Sequence, residues 1–176
     1  MVITLIGYRG SGKSSVGAAL AARLGWSCVD ADAVLEERAG RTIREIFASD
    51  GEPFFRALEC DVLADLLAGD KQVIAAGGGA ILNAESRRRM REAGPVVWLK
   101  ASPELLARRI AGDPTTTERR PNLTSLGTLA EVAEVLEKRE PLYRETASLV
   151  IETDSLDIAQ IVDRILRSIP FSPSGA

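Results

Sequence analysis

The sequence predicts an α/β domain in which helices cover both faces of a five-stranded parallel sheet. Short runs of β-branched and apolar residues, typical of buried strands, alternate with segments of helical periodicity. A glycine-rich loop joins the first predicted strand to the first predicted helix. The 176 residues are enough for one domain with a full core, predicted at residues 1–170 and followed by a flexible tail at 171–176.

The composition excludes several classes of protein. Hydrophobic residues make up 45% and charged residues 27%, which is typical of a globular domain. The net charge of −3 argues against a protein that binds nucleic acid mainly through phosphate contacts. No apolar run approaches the roughly 20 residues of a membrane helix. A strand that starts at Val2 leaves no room for a signal peptide, so a cytoplasmic protein without membrane or nucleic-acid partners is expected.

Three further features narrow the chemistry and the assembly. Two cysteines are too few for a disulfide framework and fit reduced thiols in the cytoplasm. The chain contains no histidine, so any proton transfer must use a carboxylate, a lysine or the substrate itself. No surplus apolar helix face stands out, so a monomer is the expected state.

Five strands are predicted from short apolar or β-branched runs. They cover residues 2–6, 27–29, 72–76, 96–99 and 149–151. The segments that follow parallel strands meet at one edge of the sheet, and ligands of such folds bind there.

Helices are predicted between these strands from periodicity and from residues that begin or end helices. They cover residues 14–24, 33–39, 42–51, 53–69, 83–93, 102–110 and 156–169, with one more from 128 to 139 or 143. Thr42 with Glu45 and Thr128 with Glu131 have the spacing of a capping box, and Pro53 suits a first helical turn. The apolar stripe after Pro53, predicted to pack inward, comprises Phe54, Leu58, Val62 and Leu66, with Phe55 also expected inside.

Residues 111–127 break this alternation and are predicted to form a lid. They contain Pro114, three consecutive threonines and the adjacent Arg119 and Arg120. A long polar segment inside a compact domain is more often functional than structural.

A phosphate-binding loop is predicted at residues 7–14. They read Gly-Tyr-Arg-Gly-Ser-Gly-Lys-Ser and match the pattern G-x-x-x-x-G-K-[ST]. The glycines let backbone N–H groups turn toward an anion, and the following helix adds its positive N-terminal end. The strand before the loop and the helix after it disfavour the alternative of a chance glycine-rich turn. A nucleoside triphosphate is therefore predicted to bind through Gly10, Ser11, Gly12, Lys13, Ser14 and Ser15.

Asp30 and Asp32 follow the second strand, where two interpretations are open. If the chain stays extended there, the carboxylates share one face. One could then hold Mg²⁺ and the other could accept a proton from an attacking hydroxyl. Alternatively, both cap the helix that begins near Ala33, and the two residues alone do not decide between these roles.

Two further segments follow strands at the same predicted edge. Gly77-Gly78-Gly79 implies that backbone approaches another group closely, because three glycines otherwise lower stability. The alternative is a plain turn between strand and helix. Glu152-Thr153-Asp154 follows the fifth strand and is predicted to join the same site.

In order and spacing, these and other motifs resemble the shikimate kinase family. The matching segments are the phosphate loop, Asp30-Ala31-Asp32, Ile46-Phe47-x-x-x-Gly51-Glu52-x-x-Phe55-Arg56-x-x-Glu59, Gly77-Gly78-Gly79, Arg120-Pro121 and Arg139-x-Pro141-Leu142-Tyr143. The family has the P-loop kinase fold and transfers the γ-phosphoryl group of ATP to the 3-hydroxyl of shikimate, in aromatic amino acid biosynthesis. The resemblance therefore implies ATP, Mg²⁺ and shikimate as ligands, and a substrate-binding helical segment at about residues 32–60.

For the nucleotide and metal, the resemblance implies roles for five residues. Lys13 would bind the β- and γ-phosphates, and Ser14 with Asp30 would hold Mg²⁺. Arg120 in the lid would cover the phosphates, and Arg109 would lie against the adenine. The family's lid usually reads Arg-Pro-Leu-Leu, whereas this chain has Arg-Pro-Asn-Leu. Because Arg119 and Arg120 are adjacent, which of the two reaches the phosphates stays open.

For shikimate, the resemblance implies four roles. Asp32 would contact the substrate hydroxyls and serve as the base, and Gly78 would contribute a backbone contact. Arg56 and Arg139 would bind the carboxylate, which suits the two-pronged guanidinium group. Two alternatives remain: another small-molecule kinase of this fold, acting on gluconate or a nucleoside monophosphate, or a nucleotide-binding module that is catalytically silent.

Overall fold

Five short strands form one parallel sheet at the centre of the structure, a computed structural model that describes residues 1–112 and 128–169. The strands are β1 (Val2–Ile6), β2 (Ser27–Asp30), β3 (Gln72–Ala75), β4 (Val96–Lys100) and β5 (Leu149–Glu152). Their order across the sheet is β2-β3-β1-β4-β5, and each neighbouring pair is parallel. The chain therefore leaves β1 at the point where the strand order reverses, which is where such sheets form a binding crevice.

Helices cover both faces of this sheet, as the sequence predicts. They are α1 (Lys13–Leu24), α2 (Ala31–Ala39), α3 (Ile43–Ser49), α4 (Gly51–Leu67), α5 (Ala84–Ala93), α6 (Pro103–Gly112), α7 (Thr128–Thr146) and α8 (Ile158–Ser168). Alternate residues of β1 enter two different cores: Ile3 and Leu5 pack with α1 and α8, whereas Val2 and Ile6 pack with α4, α5 and α7. In the described ranges, no helix is long and apolar enough to cross a membrane.

Most helix boundaries agree with the signals in the sequence. Both hydrogen bonds of the Thr42–Glu45 capping box are present before α3, and the Asn83 side chain accepts from the Ser86 amide before α5. The last helix begins two residues later than predicted, because Asp157 and Gln160 form a capping box of their own.

The segment from α2 to the first turns of α4 has a small core of its own. Phe47 and Phe55 lie with ring centroids 4.7 Å apart within it. The fully buried members of this core are Leu35, Ile43, Ile46, Phe55 and Val62. It overlaps the segment at about residues 32–60 for which the family resemblance implies substrate binding, and that role stays a prediction.

The inward face of α4 differs from the predicted stripe. Phe54 is 45% exposed, whereas Phe55 is completely buried, so the prediction for Phe54 is wrong. The buried residues are Phe55, Glu59, Val62, Leu63 and Leu67. A prediction based on apolar residues alone misses this buried face of α4, because the charged residue Glu59 lies at the centre of the face.

Phe55→Ala is expected to lower the free energy of unfolding by about 3–5 kcal/mol, because it leaves a cavity in the small core. Phe54→Ala is the matched control, and its effect should stay within about 1 kcal/mol since the ring is largely exposed. Urea denaturation of both variants measures the difference. Equal destabilisation by the two substitutions would contradict this description of α4.

Candidate active site

The phosphate loop lies between β1 and α1, with its backbone in the conformation that glycine permits. Gly10 and Gly12 have φ values of +78° and +92°, a left-handed region that other residues rarely adopt. Lys13 begins α1, and its ammonium group donates to the carbonyl oxygens of Gly7 at 2.9 Å and Tyr8 at 3.0 Å. The lysine charge is therefore held across the loop.

Asp30 connects the loop to the start of α2. Its Oδ2 accepts a hydrogen bond from the Ser14 hydroxyl at 2.7 Å. Its Oδ1 accepts from the backbone amides of Asp32 at 3.0 Å and Ala33 at 3.4 Å, so it also caps α2. Asp30 therefore caps α2 with one oxygen, as in one of the two interpretations, while its other oxygen contacts Ser14, and its role as an Mg²⁺ ligand stays a prediction.

The condition under which Asp30 and Asp32 would share one face is not met, because the chain does not stay extended at Asp32. The helix begins at Ala31, so Asp32 lies in its first turn, two residues after the strand ends at Asp30. The cap made by Asp30 explains the early start, because it satisfies amide groups that would otherwise lack a partner. Asp32 nevertheless stays at the carboxyl end of β2, where Asp30 is in register with Ala75 of β3.

Two arginines from distant helices meet at the glycine segment after β3. Arg56 of α4 lies so close to Gly79 that a Cβ there would be 2.1 Å from its Nη1. Arg139 of α7 donates from Nη1 to the Gly78 carbonyl oxygen at 3.0 Å. Gly79 has an ordinary φ of −101°, so the guanidinium group rather than the backbone conformation requires glycine there. The close approach predicted for this segment is therefore present.

Two carboxylates hold Arg56 in place. Its Nη1 donates to Glu59 Oε2 at 2.7 Å, and its Nε and Nη2 donate to Glu52 Oε1 at 3.2 and 3.1 Å. Burial lowers the pKa of Arg56, but these carboxylates outweigh that effect and the net pKa is raised. Arg56 is thus a fixed positive charge beside the glycine segment.

The glycine segment also adjoins the phosphate loop. A Cβ on Gly78 would lie 3.7 Å from both the Arg9 amide nitrogen and the Gly7 carbonyl oxygen. The Tyr143 hydroxyl donates to the same Gly78 carbonyl oxygen at 3.2 Å as Arg139 does. The phosphate loop and the two arginines therefore flank one short stretch of backbone.

A cavity of about 1130 Å³ opens beside the phosphate loop. Its walls come from the loop, the C-terminal half of α6, and the start of α8 with the residues before it. Arg109 of α6 donates from Nη1 to the Gly10 carbonyl oxygen at 3.1 Å, so this arginine lies beside the loop, and its contact with adenine stays a prediction. The lining residues are Gly10, Ser11, Gly12, Lys13, Ser14, Ser15, Val16, Arg108, Arg109, Gly112, Leu156, Asp157, Ile158, Ala159 and Ile161.

Contrary to the prediction, the segment after β5 does not line this cavity. Glu152 and Asp154 line a neighbouring cavity of about 480 Å³, together with Trp98 and Lys100. Asp154 accepts a hydrogen bond from the Ser102 amide at 2.9 Å, and hydrogen bonding to Ser102 lowers the pKa of its carboxyl. β5 is the edge strand and is separated from β1 by β4, which explains the offset.

Comparison with known proteins agrees with this arrangement. The family model for shikimate kinase matches residues 9–170. A shikimate kinase from Rhodopirellula baltica is 43% identical over 168 residues, covering 96% of this chain and 90% of that protein. The chain belongs to the shikimate kinase family. A family member from Nitratidesulfovibrio vulgaris is 45% identical over 170 residues, covering 97% of this chain and 96% of that protein.

A solved shikimate kinase has the same fold. The enzyme from Acinetobacter baumannii, in complex with shikimate, matches with a TM-score of 0.88 and 37% identity, covering 94% of this chain and 90% of that one. The P-loop kinase fold with a five-stranded parallel sheet is thereby confirmed.

Several residues implied by the shikimate kinase resemblance lie outside the described residues. Arg120 and its neighbour Arg119 belong to residues 113–127, as does nearly all of the predicted lid at 111–127. Only Ala111 and Gly112, which end α6, are described. The predicted tail at 171–176 also lies outside.

Some contacts at this candidate site were not predicted from the sequence. Glu52 and Glu59 are four residues before and three residues after Arg56, and that helical spacing could have indicated both ion pairs. The ion pair between Arg9 of the phosphate loop and Glu131 of α7 joins residues 122 positions apart. No local pattern indicates that pair.

Proposed function

We propose that this chain is a shikimate kinase that transfers the γ-phosphoryl group of ATP to the 3-hydroxyl of shikimate, giving shikimate 3-phosphate. One observation carries the proposal: Arg56 and Arg139 converge on Gly78 and Gly79 directly beside a phosphate loop. A pair of guanidinium groups suits a carboxylate, and the loop suits a triphosphate. Membership in the family supports this pairing of substrates.

Residues 10–15 are proposed to hold the ATP phosphates. Backbone amides of the loop and the N-terminal end of α1 supply the positive potential. Lys13 moves from the Gly7 and Tyr8 carbonyl oxygens toward the β- and γ-phosphates. We assign Arg109 to the adenine side of the loop cavity, and Arg120, outside the described residues, to the phosphates during transfer.

Ser14 and Asp30 are proposed to hold Mg²⁺. A hydroxyl and a carboxylate are hard oxygen donors, and their contact at 2.7 Å places both beside the phosphate loop. Among the described residues no cluster of three or more histidine, cysteine, aspartate or glutamate side chains could hold a metal, so water and phosphate would complete the shell. When bound, Mg²⁺ neutralises charge on the phosphate oxygens.

Shikimate is proposed to bind between Asp32, Gly78 and the two arginines. Arg56 and Arg139 hold the carboxylate, and the Gly78 backbone packs against the ring. Asp32, at the carboxyl end of β2, orients the 3-hydroxyl and accepts its proton as the phosphoryl group transfers. Because the chain has no histidine, this proton must go to a carboxylate, a lysine or the substrate itself, and Asp32 is the carboxylate that we assign.

A coupled assay of ADP release with three separate acceptors distinguishes the alternatives. Rapid release with shikimate, and little with gluconate or nucleoside monophosphates, is the expected result. Release with gluconate instead would indicate a different small-molecule kinase, whereas nucleotide binding without release would indicate a silent module.

We further propose that the protein acts as a cytoplasmic monomer in aromatic amino acid biosynthesis.

Glu52→Gln is expected to strengthen shikimate binding by about two- to fivefold, since an exposed ion pair contributes up to about 1 kcal/mol. Glu52 is 60% exposed and occupies the Nε and Nη2 atoms of Arg56, the edge that an incoming carboxylate would use. Glu52 thus competes with the substrate. Calorimetric titration with shikimate measures the change.

Glu92→Gln is the matched control for this prediction. Glu92 is 59% exposed and pairs with Arg88 at the same helical spacing, on α5 away from the site. Its substitution should leave shikimate affinity unchanged. Weaker binding by Glu52→Gln would mean that Glu52 positions Arg56 for the substrate instead of competing with it.

A further inference from the structure

A buried ion pair joins the phosphate loop to α7. Arg9 lies within the loop, and its Nη2 donates to Glu131 Oε1 at 3.1 Å. The side chains are only 12% and 2% exposed. Removing one partner of such a buried ion pair strongly destabilises the folded protein, because the other charge is then left without compensation in the interior.

The charges of this pair belong to a larger cluster that includes Arg139. The Arg9 guanidinium lies 5.9 Å from the centre of the Tyr8 ring. Burial raises the pKa of the Tyr8 phenol, and the charges of Arg9, Glu131 and Arg139 all act on that group. Electrostatic interactions therefore connect the phosphate loop with the first turn of α7 and with Arg139, which is proposed to bind the shikimate carboxylate.

Helix α7 contacts the site in two places, once at the phosphate loop and once at the glycine segment where shikimate is proposed to bind. Glu131 holds the loop through Arg9, while Arg139 and Tyr143 both donate to the Gly78 carbonyl oxygen. Glu131 and Arg139 are eight residues apart, which is about 12 Å along a helix. A rigid helix over that distance transmits a displacement from one contact to the other.

We propose that Arg9 and Glu131 are positioning residues that couple nucleotide binding in the phosphate loop to shikimate binding by Arg139. The inference rests on the proposed function. Phosphates in the loop fix the backbone around Arg9, Arg9 fixes the start of α7 through Glu131, and α7 thereby holds Arg139 in its binding orientation. Such coupling is reciprocal, so shikimate must strengthen nucleotide binding by the same factor.

Calorimetric titration of shikimate with and without Mg-ADP tests this coupling in the full chain. For the wild type we expect tighter shikimate binding in the presence of Mg-ADP, by a factor of about 5 or more. Glu131→Gln and Arg9→Met should bring this factor close to one. A merely structural pair would change the stability of the protein, without changing the ratio of the two affinities.

Two further variants serve as controls. One tests whether loss of coupling is only a result of misfolding, and the other tests whether any substitution on α7 has the same effect. The double variant Arg9→Met with Glu131→Leu removes both charges of the pair together, so neither is left in place without the other. It should fold and still lack the coupling. The control is Glu145→Gln on α7, whose carboxylate is 48% exposed and pairs with Arg87 and Arg91 of α5. It should keep the wild-type factor.

The outcomes separate this inference from the proposed function. A wild type that phosphorylates shikimate but binds it equally with and without Mg-ADP would overturn the coupling and leave the kinase activity standing. Wild-type coupling retained by the folded double variant would do the same. A chain that neither binds nor phosphorylates shikimate would overturn both.

Discussion

Lys13→Ala is expected to lower the rate of phosphoryl transfer by more than about a hundredfold, because a positioned donor is lost where charge develops. In the structure the Lys13 ammonium group lies across the loop, within hydrogen-bond distance of the Gly7 and Tyr8 carbonyl oxygens. In the proposed role the side chain carries charge to the phosphates and does not fill a core, so the fold should remain intact. Single-turnover kinetics with Mg-ATP and shikimate measure the rate, and circular dichroism monitors the fold.

Lys138→Ala is the matched control for the loss of a lysine. Its side chain is 70% exposed and pairs with Glu134 on the surface of α7. It should retain wild-type kinetics. If Lys13→Ala kept a large share of the wild-type rate, the phosphate loop would be a structural turn and its assignment to ATP would fail.

Arg56→Ala and Arg139→Ala are each expected to weaken shikimate binding by roughly tenfold to a few hundredfold. Charge-assisted hydrogen bonds contribute about 1.5–3 kcal/mol each, and about 1.4 kcal/mol is a factor of ten. ATP affinity measured without shikimate should barely change, because neither arginine is assigned to the nucleotide. Calorimetric titrations with each substrate separate the two effects.

The contacts of the two arginines refine this expectation. Arg56→Ala also removes the donor at 2.7 Å from the buried Glu59 carboxylate, so it should destabilise the protein more than Arg139→Ala. Arg56→Lys tests the geometry, since a lysine ammonium cannot reproduce the forked contacts to Glu52 and Glu59.

Arg88→Ala is the control for loss of a surface arginine. Arg88 is 51% exposed on α5 and pairs only locally with Glu85 and Glu92 among the contacts described. It should bind shikimate as the wild type does. Wild-type affinity in both Arg56→Ala and Arg139→Ala would refute the carboxylate clamp and favour a different acceptor.

The strands and the phosphate loop could be predicted because their signals are local. β1 occupies residues 2–6 as expected, and the loop glycines Gly10 and Gly12 adopt the left-handed conformations for which glycine is needed. The parallel sheet followed from the alternation of strands and helices. The glycines after β3 predicted a close contact, although only the structure identifies the Arg56 guanidinium group as the group that lies against Gly79.

Features that depend on distant residues could not be predicted from local patterns. Phe54 and Phe55 are adjacent and equally apolar, and the tertiary packing of α4 decides which one is buried. The cap by Asp30 starts α2 early and moves Asp32 into a helix. Arg9 and Glu131 are 122 positions apart, so only the folded chain reveals their ion pair.

We propose that the two arginines and the phosphate loop together orient one hydroxyl of shikimate for transfer. Phosphorus-31 NMR of the wild-type reaction with Mg-ATP and shikimate tests this most directly, because it identifies the oxygen that receives the phosphoryl group. We predict a single phosphomonoester at the 3-hydroxyl, formed in equal amount to ADP. Esters at several hydroxyls, or ADP formed without any shikimate ester, would contradict the account.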